Sequence, residues 1–141
     1  MKVKDIMSHP VEEIRSDARV TEAAQLMQLS DVGILPIRDD DDIIGVLTDR
    51  DITARVVAGE LNPRETPVTD VMSADVICCS EDSSVQDAAT IMEENKVRRL
   101  LVLSRANEVS GILSIADIAM KVKDPYLIRE IIMSIYEPIS I

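Results

Sequence analysis

Two short constellations in the chain can do chemistry. Thr48-x-x-Asp51 lies within GVLTDRDI (residues 45–52), and Ser114-x-x-Asp117 lies within GILSIADI (residues 111–118). A hydroxyl followed three residues later by a carboxylate has the spacing of a capping box. The hydroxyl accepts the N3 amide and the acid reaches back to the cap amide, stabilising a helix start by ~1 kcal/mol. The same geometry can serve a ligand. A carboxylate at a strand-to-helix corner can accept both hydroxyls of a ribose, while the helix N-terminus and the Thr or Ser hydroxyl favour a phosphate. The two roles are not exclusive, and the spacing leaves both open.

The other reactive residue types point to less. Arg98 and Arg99 are adjacent and form a local cation suited to a phosphate. Cys78 and Cys79 are neighbours, which matches no zinc-finger spacing and would strain a disulfide, so they read as reduced strand residues. His9 stands alone beside Pro10, and Asp39 to Asp42 read as a solvated hairpin turn whose carboxylates point in several directions. Neither a Ser-His-Asp or Cys-His set nor a glycine-rich phosphate loop is evident. The expectation is a protein without catalytic residues, catalytic cofactor or metal site.

Composition narrows the partners. The chain has 141 residues, and 26 acidic against 15 basic residues give a net charge of -11, which repels a nucleic-acid backbone and an anionic membrane. With no Phe, no Trp and two Tyr, aliphatic residues must build the core, and stacking platforms for bases are lacking. The seven Met fall in helical patterns and read as core filling. No apolar run approaches the ~20 residues needed to span a bilayer, and no signal peptide is recognisable. A cytoplasmic location is expected.

The elements that must position these residues occur twice. Val3-Lys4-Asp5-Ile6-Met7-Ser8 returns as Val68-Thr69-Asp70-Val71-Met72-Ser73, an offset of 65, and Ala23, Ala24 and Met27 return as Ala88, Ala89 and Met92. By Gly45 and Gly111 the offset is 66, one residue having entered the hairpin turn of the second copy. Each copy reads as strand, helix, strand, strand, helix. A short first strand lies near Val11 to Ile14 or Val76 to Cys79, and the second helix runs over about 49–58 or 115–122. The boundaries are 1–60 for the first repeat, 61–67 for a linker, 68–123 for the second repeat and 124–141 for a C-terminal helical tail. In the tail Asp124 can cap, Pro125 suits the first turn, and Leu127, Ile128, Ile131, Ile132 and Ile135 have helical spacing. Either packing on its own module or a partner contact would use that face. Each half is too small to bury its sheet well alone, so the halves are expected to pack on one another.

This ordered set resembles the tandem CBS domain pair, or Bateman module. Its carriers are the D-[IV]-M-S words, the A-A-x-x-M helix, the segments Gly33-Ile34-Leu35-Pro36-Ile37 and Arg98-Arg99-Leu100-Leu101-Val102, and the two endings at Asp51-Ile52 and Asp117-Ile118. The resemblance implies an α/β fold, a pseudo-twofold pair of repeats, and a stand-alone regulatory protein. It also implies an adenosine ligand with its ribose on the carboxylate and its adenine between aliphatic residues and strand backbone. Family sites are composite. One cleft would combine Val46, Thr48 and Asp51 with Val76, Ile77, Val97, Arg98 and Arg99. The other would combine Ser114 and Asp117 with Val11, Glu12, Val32 and Ile34, near Glu13 and without an arginine, and is expected to hold a phosphorylated ligand more weakly. Leu101 and Ala116 depart from the usual family residues.

The resemblance leaves the ligand open among AMP, ADP, ATP, NAD and S-adenosylmethionine. It implies energy sensing with a conformational or dimer change, a flat homodimer, and an unidentified effector protein. The competing reading is a dimerisation scaffold with degenerate clefts that bind nothing.

Overall fold

The computed structural model describes residues 1–136; the last five residues of the expected tail, 137–141, lie outside the described residues. The chain forms two compact units. The first-repeat unit spans Glu12–Val76 and the second-repeat unit combines Met1–Val11 with the chain from Ile77 onward.

In the first-repeat unit, β1 (Ile14–Arg15) is followed by α1 (Val20–Ser30), β2 (Ile34–Asp39), β3 (Asp42–Thr48) and α2 (Asp49–Asp51). The sheet order is β1-β2-β3, with β1 parallel and β3 antiparallel to β2. Apolar residues at helical spacing turn Val20, Ala23 and Met27 of α1 onto Leu35, Ile37 and Leu47 of the sheet. The second-repeat unit repeats this order with β4 (Cys78–Ser80), α3 (Val85–Asn95), β5 (Arg99–Leu103), β6 (Val109–Ser114) and α4 (Ile115–Lys121). It then adds α5 (Pro125–Ile135), which packs on α3 and α4. Asp124 caps α5 by accepting the amides of Tyr126 (3.1 Å) and Leu127 (3.2 Å). The strand-helix-strand-strand-helix order expected from the sequence is therefore the order found, twice, with a helix after it.

Local differences from the expectation have physical reasons. The first strands lie later than expected, at Ile14–Arg15 and Cys78–Ser80, because only there does the chain run beside β2 and β5. α2 is one α turn, Asp49–Asp51, continued as a π-helix over Ile52–Val57. It stops at Gly59, where a Cβ would collide with the Arg55 carbonyl. The 61–67 segment is no loose tether. Its Pro63 and Thr66 carbonyls accept the amides of Thr21 (3.1 Å) and Val20 (3.0 Å), satisfying two orphan donors at the start of α1.

Each repeat's leading segment belongs to the other unit. Val3 and Ile6 are buried in the core of the second-repeat unit, and Val68 and Val71 in the core of the first. Backbone bonds hold them, from Val3 N to Ser83 O (2.9 Å) and from Val68 N to Ala18 O (2.9 Å). Asp82 adds a clamp on the first segment, bonding Arg105 (2.9 Å) and Lys4 (3.2 Å), and those two cations hold its carboxyl below the usual range. Each unit has its own apolar cluster, completed by a segment from outside its own repeat. This answers the problem of burying a sheet in about 60 residues with local means.

Two expectations follow. A fragment spanning residues 12–76 should unfold cooperatively in a thermal circular-dichroism scan. A fragment spanning residues 1–66 should not, because it keeps Val3 and Ile6 without their core and lacks Val68 and Val71. The second concerns pH. Cys79 is 6% exposed, and burial, helped by the neighbouring Cys78, pushes its thiol from 9.0 up to about 11. The folded state thus keeps a proton that the unfolded chain releases, so this contribution is full below about pH 9 and is lost as pH rises toward 11. Denaturant titrations should show the wild type losing about 2 kcal/mol more than Cys79→Ala over that window.

Candidate functional site

Both hydroxyl and carboxylate pairs sit where an antiparallel strand runs directly into a helix. At the end of β3, Thr48 is extended and its Oγ1 accepts the Asp51 amide at 3.1 Å, while Asp51 Oδ2 accepts the Thr48 amide at 2.9 Å. At the end of β6, Ser114 Oγ accepts the Asp117 amide at 3.1 Å and Asp117 Oδ2 accepts the Ser114 amide at 2.9 Å. The capping half of the expectation is met in both copies.

A further partner reaches each carboxylate from the adopted leading segment. Ser73 Oγ donates to Asp51 Oδ1 at 3.1 Å, and Ser8 Oγ donates to Asp117 Oδ1 at 3.1 Å. A cation one helical turn on completes the arrangement. Arg55 lies 3.5 Å from Asp51 Oδ1 and donates to the carbonyls of Val71 and Met72, both at 2.8 Å. Lys121 lies 3.7 Å from Asp117 Oδ1 and donates to the Ile6 carbonyl at 2.8 Å. Backbone pairing fixes the register: Val46 and Ser73 exchange both amide bonds at 2.9 Å, as Ile112 and Ser8 do at 3.0 and 2.9 Å. The glycines ahead of these strand ends make room. A Cβ on Gly45 would come within 2.7 Å of Met72 Sδ and 2.8 Å of the Ser73 carbonyl, and one on Gly111 would strike Met7 Sδ.

Magnitudes rank these contacts. A hydrogen bond from a hydroxyl to a charged acceptor contributes ~1.5–3 kcal/mol, and Asp51 is only 7% exposed. The Arg55 and Lys121 side chains are about half exposed, so their ion pairs contribute under ~1 kcal/mol. At Asp51 the part-buried serine bond dominates; the Ser8 bond to Asp117 is exposed and contributes less. Ser8, Ser73, Arg55 and Lys121 were not singled out as site residues by sequence reasoning. The recurring D-[IV]-M-S word carried both serines, but nothing in it pointed to the carboxylate.

The remaining expected residues divide between the units. Val46, Thr48, Asp51 and Val76 lie in the first-repeat unit together with Glu12, Val32 and Ile34; Ile77, Val97, Arg98 and Arg99 lie in the second with Val11, Ser114 and Asp117. Within each unit the middle segment runs beside its own hydroxyl. Ile34 pairs with Thr48 and the Gly33 carbonyl accepts the Asp49 amide at 3.0 Å. Arg99 pairs with Ser114, and the Arg98 carbonyl accepts the Ile115 amide at 3.0 Å. Arg99 thus shares a sheet with Ser114 within its own unit. Arg98 donates to the Tyr136 hydroxyl at 3.2 Å. In the first-repeat unit Glu13 is no uncompensated charge, because Arg38 bonds it in a two-pronged pair at 2.6 and 2.9 Å.

A CBS domain is matched at residues 3–58 and again at 68–124, covering most of the sequence and both corners. The chain belongs to the CBS domain family. It is similar to the CBS domain-containing protein YhcV of Bacillus subtilis, 35% identical over 118 residues, covering 84% of this chain and 83% of that protein. Hypoxic response protein 1 of Mycobacterium tuberculosis is 33% identical over 98% of this chain and 96% of its own. The solved CBS domain pair of protein MJ0100, in complex with 5′-methylthioadenosine and S-adenosyl-L-methionine, superposes with a TM-score of 0.75 at 26% identity, covering 85% of this CBS pair and 94% of the other. Among the described residues of this pair no three His, Cys, Asp or Glu side chains are grouped to hold a metal, and no helix is long and apolar enough to cross a membrane.

The close approach at the glycines gives a direct expectation. Gly45→Ala should lower stability by ~1–3 kcal/mol, because the added methyl meets backbone at Ser73 and must push the leading segment off β3. Chemical denaturation checks this; an unchanged midpoint would mean that the segment is not seated there.

Proposed function

We propose that the chain is a regulatory module that binds an adenosine-containing ligand at its hydroxyl and carboxylate corners and passes occupancy on through a conformational or dimer change. The observation that carries this reading is the corner itself, built twice, with a carboxylate held at the start of a helix beside a hydroxyl. A carboxylate in that position suits a vicinal diol, and the adenosine compounds bound by the MJ0100 pair are of that class. The candidate ligands are AMP, ADP, ATP, NAD and S-adenosylmethionine. Arg99, paired with Ser114 across the sheet, and the adjacent Arg98 supply the cation that a phosphorylated member would use. The proposed setting is the cytoplasm, as a homodimer acting on a separate effector protein, without catalysis.

The scaffold reading draws on one observation. Asp51 already accepts the Thr48 amide and the Ser73 hydroxyl and faces Arg55, so part of its hydrogen-bonding capacity is engaged by the fold itself. A ribose hydroxyl would therefore compete with the Ser73 hydroxyl for the same carboxylate. Its net gain is smaller than that of an open carboxylate.

Calorimetric titration of the wild type with AMP, ATP, NAD, S-adenosylmethionine and 5′-methylthioadenosine tests both readings. Saturable binding is expected for at least one of them, with Asp51→Ala or Asp117→Ala weakening its site by ~2 kcal/mol, about thirtyfold. Ser73→Ala should lower stability yet strengthen binding at Asp51, since it frees an acceptor. No heat with any of the five would leave the scaffold reading standing.

A further inference from the structure

Arg98 and Arg99 are neighbours in sequence but turn to opposite sides of their sheet. Arg99 pairs with Ser114 across β5 and β6, and directly paired residues share a face, so its side chain lies on the side of the serine hydroxyl. Leu100 and Leu113, the next pair, take the other face, buried in the cluster that Leu127, Ile128, Ile131 and Ile135 of α5 complete. Arg98 is two residues before Leu100 and follows it to that face. There its Nη1 donates to the hydroxyl of Tyr136, just past the end of α5, at 3.2 Å. Of the two cations that a phosphorylated ligand would use, one stands beside the corner and the other is held by the C-terminal helix.

The contact joins a firm element to a movable side chain. α5 is anchored by the fully buried Ile131, and the Tyr136 amide donates to the Ile132 carbonyl at 2.9 Å, which keeps Tyr136 on the helix end. The Arg98 carbonyl accepts the Ile115 amide at 3.0 Å, so its backbone is fixed at the start of α4 while its exposed side chain can swing. Tyr136 is 54% exposed, and water competes with its hydroxyl for the guanidinium. A phosphate outcompetes a phenol for the same group, because it brings negative charge and two oxygens in a fork where the phenol brings one neutral oxygen.

We propose that Tyr136 is a latch on Arg98. At rest it holds the guanidinium on the helical face; the phosphate of a bound ligand draws that guanidinium round to join Arg99 and so releases the end of α5. The latch rests on the corner reading above and gives it an output element, the C-terminal helix. Coupling of this kind is reciprocal: a phosphate that opens the latch is itself held less tightly while the latch is closed. Tyr136 therefore sets the preference between phosphorylated and unphosphorylated ligands, and adenosine alone leaves the latch shut.

Tyr136→Phe removes one exposed hydroxyl, and circular dichroism should show it folded. Calorimetry should find AMP and ATP bound about threefold to tenfold more tightly by this variant than by the wild type, with adenosine unchanged. Arg98→Met should bind AMP more weakly than the wild type, and adding Tyr136→Phe to it should gain nothing, since no guanidinium is left to withhold. The chain has two Tyr and no Trp, so the ring NMR signals can be assigned with Tyr126→Phe; AMP should shift the Tyr136 ring and adenosine should not. Equal, measurable binding of AMP and ATP by Tyr136→Phe and the wild type would overturn the latch and leave the corner reading intact, as would a gain that persists in the Arg98→Met background. Absence of binding by all three compounds would overturn the latch, and titration with S-adenosylmethionine would then decide whether the corner reading survives.

Discussion

The hydrogen bond from Ser73 to the Asp51 carboxylate, repeated from Ser8 to Asp117, ties a strand-to-helix corner to a leading segment from outside the repeat. Twenty-two residues separate the partners in one unit and 109 in the other, so chain proximity does little to hold them. At Asp51 the bond is strong because its acceptor is charged and nearly buried and the amide of the cap residue already fixes one carboxylate oxygen. Arg55 and Lys121 then anchor the same segments by their carbonyls, and Gly45 and Gly111 let those segments lie against the strands. Removing the carboxylate would undo a cap and a long-range clasp together, so the corner is conserved between the two copies for reasons that need no ligand.

That economy also frames the functional question. A carboxylate poised to accept hydroxyl donors is what a ribose needs, and the serine hydroxyl occupies it much as a sugar hydroxyl would. The same atoms can therefore hold the fold and register a ligand, with the leading segment as the element that feels the exchange.

Much of this was legible in the residues. The duplicated words gave the repeat, alternating aliphatic runs gave the hairpins, and Thr48-x-x-Asp51 with Ser114-x-x-Asp117 gave the caps, because each of these signals is local. Asp124 and Pro125 marked the start of α5 for the same reason. The segment exchange was hidden, since Val3 and Val68 look alike and either could complete either core. The π-helical form of α2 has no signature in ITARVV. The pairing of Glu13 with Arg38 joins residues 25 apart through strands whose register had to be seen first. Grouping Arg98 and Arg99 with Thr48 drew on family likeness, since no local pattern joins residues of different repeats.

A double-mutant cycle on Ser73→Ala and Asp51→Asn, read by chemical denaturation, tests most directly whether the serine and the carboxylate act as one clasp. Coupling of ~1–2 kcal/mol between the two substitutions is the expected result. Strict additivity would contradict the account, because the leading segment would then be held without the carboxylate.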